Sequence, residues 1–168
     1  MKVFAIDLSM TSTGICYGDP ALFLQGIGEA KLWTLTEDKK APYDQRMSQM
    51  VCRIADLYGQ EAKDSAPFIV CEDLNSMRNA KVLKALAGIR GALIFYFALQ
   101  GYGTIHFASQ RHARKSIGIK GDSEKEDARQ YLKSEYGLDT TGPDEADAAI
   151  IWLAQAPTPQ DEDQNLSL

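Results

Sequence analysis

Asp7 ends the apolar run VFAID, Glu72 ends the apolar run FIVCE, and Asp144 and Asp147 lie in PDEADAAIIW. The last two are three residues apart, which puts both on one face of a helix. Carboxylates far apart in sequence, each set beside residues that want burial, suggest convergence on a hard divalent cation such as Mg²⁺ or Mn²⁺. Such ions prefer oxygen ligands and keep several waters, so a few carboxylates and a substrate phosphate suffice. Two ions roughly 4 Å apart can activate an attacking water and stabilise the leaving oxygen of an in-line displacement. Taken singly, each acid also has a plain structural role. Asp7 can accept backbone N–H groups of the turn LSMTSTG, and Glu72 or its neighbour Asp73 can be a strand-end charge. Asp144 and Asp147 suit the first turn of a helix, where the macrodipole favours acids by about 0.3–1 kcal/mol each. Acids gathered together repel and raise one another's pKa, so the coincidence of all four argues for chemistry more than any one does.

The elements that must position them follow from periodicity. Residues 2–8, 12–18 and 28–35 read as β-branched or aromatic strands with short connections, which implies antiparallel pairing. Residues 43–64 place Met47, Met50, Val51, Ile54, Leu57 and Tyr58 at helical spacing. A fourth strand over 67–74, a helix over 79–100 ending at Gly101, and a fifth strand over 104–109 come next. Ser109 can cap a short basic helix to about Ser116. Ser123 with Glu126 fits a capping box for a helix stopped by Gly137, and Pro143 suits the first turn of a last helix reaching about Gln155. The expected fold class is α/β, a five-stranded mixed sheet with its first three strands antiparallel and helices flanking it. Residues 1–155 form one domain, and 156–168, rich in Pro and acids, are expected to be a disordered tail.

Composition is that of a soluble globular protein, 45% hydrophobic and 24% charged with a net charge of -5. That charge is unevenly spread: residues 78–120 hold eight basic residues and no acidic one. Arg78, Lys81, Lys84, Arg111, Arg114, Lys115 and Lys120 are therefore candidates for a phosphate-facing, DNA-binding surface, although cations that merely solvate helix faces give the same pattern. Cys16, Cys52 and Cys71 are widely spaced, with no CxxC zinc pattern, and suit reduced thiols in a cytoplasmic protein. No signal peptide is visible. The longest apolar run, 92–99, is well short of the ~20 residues that span a bilayer, so no membrane association is expected. Leu93, Ile94, Phe95, Phe97 and Leu99 nearly encircle their helix, as core or partly as a dimer interface. His106 and His112 lack metal-ligand spacing.

The segments AIDLSMTSTG, FIVCEDLN, GIKGDSEKEDA and PDEADAAIIW, in this order, resemble the RuvC family of Holliday junction resolvases over nearly the whole chain to about residue 155. The resemblance implies an RNase H-like fold, a homodimer, and Mg²⁺-dependent two-metal hydrolysis of DNA at four-way junctions, in a cellular or a phage-encoded member. Carried over residue by residue, the metal-binding and catalytic acids fall on Asp7, Glu72, Asp144 and Asp147. Gly14 matches the glycine closing the first motif, and Lys125 a basic catalytic residue near the scissile phosphate. Arg114 or Lys115 stands where a second basic residue is expected. Two features depart from the family. Leu8 and Ser9 replace the usual Pro-Gly, and Asn75, Ser76 and Met77 fill the region where an aromatic commonly opens the junction, leaving Met77 as the one apolar wedge. A nuclease acting on branched DNA more broadly, a non-catalytic nucleic-acid-binding module and, last, an actin-like nucleotide-binding enzyme are the alternatives.

Overall fold

The computed structural model describes residues 1–63, 65–74 and 79–156. Met77 and Arg78, and the tail from residue 157, lie outside them. The elements run β1 (Val3–Asp7), β2 (Ser12–Gly18), α1 (Pro20–Leu24), β3 (Ala30–Thr36), α2 (Tyr43–Glu61), β4 (Phe68–Glu72), α3 (Ala80–Gln100), β5 (Ile105–Ala108), α4 (Gln110–Ser116), α5 (Lys125–Tyr136) and α6 (Pro143–Leu153). The strands form one mixed sheet in the order β3-β2-β1-β4-β5, antiparallel across its first three strands and parallel from β1 to β4 to β5. The expected fold class is the observed one.

Alternation along the strands divides the apolar residues between two cores. Phe4 and Ile6 of β1, Ile15 and Tyr17 of β2, and Ile69 and Cys71 of β4 pack with α2 and α3 on one face. Val3, Ala5, Cys16 and Val70 pack with α4, α5 and α6 on the other. Because side chains repeat every second residue, Asp7 continues the row of Val3 and Ala5, and Glu72 the row of Val70. Both acids therefore emerge on the α6 face at the end of adjacent parallel strands, where Ile6 pairs with Cys71.

α6 lies across β1 and β2 and is fixed at both ends. At its start a Cβ on Gly14 would come within 1.9 Å of the Asp144 carbonyl oxygen, so only glycine lets the helix sit this low. Gly14 is also the cross-strand partner of Asp7. At its end the indole of the fully buried Trp152 donates to the Gly18 carbonyl at 3.1 Å.

Three local expectations change, the first being that Ser109 stands at the start of α4 without a side-chain cap bond. The five-residue α1 was not foreseen; Asp19 caps it by accepting from the Ala21 and Leu22 amides, and Pro20 opens it. The capping box at Ser123 does not form: α5 begins at Lys125 after Glu124, which makes no side-chain cap bond. Ser123 is used differently, its hydroxyl donating to the Lys120 carbonyl and its own carbonyl accepting from Arg114. α3 is, by length and composition, apolar enough to cross a membrane, yet Leu86, Ile89, Leu93 and Phe97 are buried in the protein while Phe95 and Leu99 are each 66% exposed.

Gly14→Ala is expected to cost about 3 kcal/mol, because its Cβ meets backbone that cannot yield. That lowers the melting temperature by roughly 6–12 °C for a chain of this size. Gly91→Ala, in α3 with open space around its Cβ, is expected instead to gain up to about 1 kcal/mol through helix propensity. Thermal unfolding of the two variants checks both.

Candidate active site

β1, β4 and α6 deliver their acids into one cleft of about 780 Å³ at the end of the sheet. Asp7, Glu72, Asp144 and Asp147 line it together with Lys125, Gln110, Arg111 and Arg114. Asp7 and Asp147 are buried, and the Asp144 side chain is 23% exposed.

Burial raises the Asp7 carboxyl well above its ordinary range, and a hydrogen bond to Glu72 and repulsion from Glu72 and Asp147 push it further up. Glu72 is raised by burial first and by Asp147, against the lowering effect of its bond to Asp7 and of Lys125 and Arg114. Folding thus disfavours the charged form of both carboxyls, and of Asp7 more than Glu72. Carboxyls crowded in this way repel one another, and a nearby positive charge relieves that repulsion.

Asp147 is held from three sides. The Arg114 guanidinium and the Gln110 amide donate to its Oδ1 at 2.8 and 2.7 Å, and the Lys125 ammonium stands 2.9 Å from Oδ2. Lys125 is also 3.7 Å from Asp144 Oδ1, while the Ser12 hydroxyl donates to Asp144 Oδ2 at 2.5 Å. Burial alone would lower the Lys125 pKa, but Asp147, Asp7 and Asp144 outweigh it and raise it. Among the described residues no three His, Cys, Asp or Glu side chains close on a single point as a ready metal cage, and Arg114 and Lys125 occupy the Asp147 oxygens. The donor set itself, carboxylate oxygens from Asp7, Glu72, Asp144 and Asp147, is of the kind a hard divalent cation takes and a soft one does not.

The basic candidates separate. Arg111 lines the acidic cleft, and Lys115 and Lys120 are exposed on and after α4. Lys81 and Lys84 are exposed on the first turns of α3 and border a neighbouring groove. Arg114, expected on the phosphate-facing surface, is instead only 7% exposed and committed to Asp147 and to the Ser123 carbonyl. Its charge is internal because a buried carboxylate needs it. Arg90 likewise pairs with Asp73 at 3.2 Å and stacks 3.4 Å over the Phe107 ring. His106 is stacked on Phe68 and His112 is exposed. Gln110, Ser12 and the orienting role of Arg114 were not read from sequence, for a lone amide or hydroxyl carries no spacing signal. Glu145, between Asp144 and Asp147, is buried for structure, accepting from the Thr34 hydroxyl and the Thr141 amide.

A carboxyl whose pKa is raised by folding destabilises the protein as pH climbs above its unfolded value, 3.8 for Asp7, and the full cost is present above the folded pKa. In chelator, Asp7→Asn is therefore expected to melt several degrees above the wild type at pH 8, with the gap closing as pH falls toward 4. Addition of Mg²⁺ or Mn²⁺ should raise the wild-type melting temperature more than that of the variant. Calorimetric scans across pH measure both.

No family model and no curated protein matches the sequence. Solved structures do. The structure of Thermus thermophilus RuvC is 18% identical and superposes with a TM-score of 0.70 over 92% of each chain. RuvC from T. thermophilus in complex with a Holliday junction substrate gives 16% identity and a TM-score of 0.69, over 92% of this chain and 91% of that one. Ydc2, the yeast mitochondrial Holliday junction resolvase, gives 12% and 0.55 over 90% of this chain and 77% of its own. From the first strand to the last helix, this chain has the RNase H-like fold of RuvC.

Proposed function

We propose that the chain is a metal-dependent endonuclease of the RuvC kind that resolves four-way DNA junctions by hydrolysing phosphodiesters. The observation that carries this reading is the single cleft in which Asp7, Glu72, Asp144 and Asp147 meet with Lys125 at its edge. The shared fold and the junction-bound neighbour support it.

The four carboxylates would hold the divalent ions, Mg²⁺ or Mn²⁺, with Asp7 central because it touches Glu72 and lies within the field of Asp147. Such ions supply a water of lowered pKa and neutralise charge on the phosphate. Arg114 and Gln110 hold Asp147 through its Oδ1, so that Oδ2, which Lys125 contacts at 2.9 Å, is the oxygen a metal ion would take. Lys125, more than half exposed, is the cation free enough to leave its carboxylates for a phosphate oxygen and steady the charge that grows there. Arg111, on the cleft wall, suits a flanking phosphate.

Two nicks placed symmetrically across a junction need two active sites, so a two-fold homodimer follows from the substrate. The uncovered apolar residues Phe95 and Leu99, one turn apart near the end of α3, make that face the dimer contact of this reading. Phe95→Asp is expected to yield a monomer by analytical ultracentrifugation and to uncouple the paired nicks. A debranching nuclease of broader range would use the same cleft and differ in cutting flaps and three-way junctions as readily.

Asp7→Asn is expected to lower cleavage of a labelled four-way junction by at least about a thousandfold while leaving binding within about threefold. The magnitude follows from the loss of metal stabilisation worth several kcal/mol. Parallel assays with linear duplex and flap DNA, with Mg²⁺ and with chelator, read activity and selectivity together. Unaltered cleavage by the folded variant would refute the reading.

A further inference from the structure

A second groove, of about 460 Å³, adjoins the acidic cleft and shares Met10 with it; Tyr43, Arg46, Lys81, Lys84 and Ala85 complete its lining. It runs between the opening turns of α2 and α3. Tyr43 is tied across it, its hydroxyl donating to the Ala85 carbonyl at 2.9 Å.

Every charged residue lining the groove is a cation. None of Arg46, Lys81 and Lys84 forms an ion pair among the described residues, whereas Arg53, Arg90, Arg114 and Arg129 each have a carboxylate partner. This happens in a chain whose acids outnumber its Lys and Arg by 23 to 18. The Nε of Arg46 is moreover buried with no hydrogen-bond partner among the described residues. A guanidinium stays charged at any working pH, and a buried donor left unpaired costs free energy that a partner would return. Three unopposed cations around a concave surface form a field that favours an anion from outside. Met10, Ala85 and the Tyr43 ring add apolar surface that a small inorganic anion would not use and that deoxyribose would.

We infer that this groove is a second nucleic-acid subsite, which grips the sugar-phosphate backbone of the DNA strand after it passes Met10 from the acidic cleft, with Arg46 as its inner phosphate ligand. The inference rests on the reading of that cleft as a phosphodiester-cleaving site. Arg46 stands outside the basic stretch 78–120, and α2 brings it to Lys81 and Lys84 across the groove.

Fluorescence anisotropy with a labelled synthetic four-way junction, in chelator so that nothing is cut, tests it across a salt series. Arg46→Gln and Lys84→Gln are each expected to weaken binding about five- to tenfold at 100 mM salt and to reduce the log–log salt slope by about 0.9, the value for one phosphate no longer neutralised. Lys133→Gln, on α5 and paired with Asp139, should leave both unchanged. Lys84 is exposed, so its variant keeps the test sharp if Arg46→Gln is unstable. Folded variants with wild-type affinity and slope would overturn the subsite. A changed sedimentation of the DNA-free protein with unchanged DNA binding would assign the groove to a second copy and overturn it too. Metal-dependent cleavage by the wild type separates the two readings. Cleavage with normal binding by the variants removes the groove alone, while weakened variants of a protein that binds but never cuts remove only the nuclease.

Discussion

Repulsion among buried carboxylates is the constraint around which this fold is organised. Asp7, Glu72 and Asp147 are brought into mutual range at the end of the sheet, where burial already disfavours the charge of Asp7 and Glu72. A protein tolerates that only by importing compensation. Arg114 enters from α4 and Lys125 from α5, both to Asp147. The three helices on that face are thus each tied to the acids, α6 by carrying two of them and α4 and α5 by carrying the cations. Removing one partner of a buried ion pair typically costs about 3–5 kcal/mol, so the Arg114–Asp147 contact is as much a part of the fold as of the site.

Much of this was legible in the sequence because period-two burial is a strong signal. The runs VFAID and FIVCE place an acid at the end of each strand, and the same alternation that buries Val3, Ala5 and Val70 aims Asp7 and Glu72 at one face. Asp144 and Asp147 were readable from helical spacing after Pro143. What was not legible depends on contacts between distant segments. The burial of Arg114 follows from a carboxylate 33 residues later, and nothing in RHARK distinguishes it from its exposed neighbours Arg111 and Lys115. Ser123 and Glu126 have the spacing of a capping box, but the Ser123 carbonyl is taken by Arg114, and the helix starts one residue beyond Glu124. α1 is too short for periodicity to mark, although its Asp19–Pro20 start was in plain sight.

The cations show the same limit from the other side. A stretch free of acids suggested one continuous basic surface over 78–120. In the folded chain it divides into residues spent internally, Arg90 and Arg114, and residues left exposed, Lys81, Lys84, Arg111, Lys115 and Lys120. Arg46, by contrast, joins Lys81 and Lys84 from outside that stretch. Charge runs in a sequence report composition, whereas the surface that a ligand meets is assembled by the packing of α2 against α3.

The double anchorage of α6, at Gly14 and at the Gly18 carbonyl, has a consequence for how such a protein can change over time. The helix bearing two acids is locked to the β1–β2 hairpin that bears a third, so these acids form one block whose geometry tolerates little displacement. The groove between α2 and α3 adjoins the acidic cleft at Met10, but its Arg46, Lys81 and Lys84 make no ion pair with those acids among the described residues. A substitution in that groove can therefore be accommodated without displacing the acids, within a fold that RuvC shares at 16–18% identity.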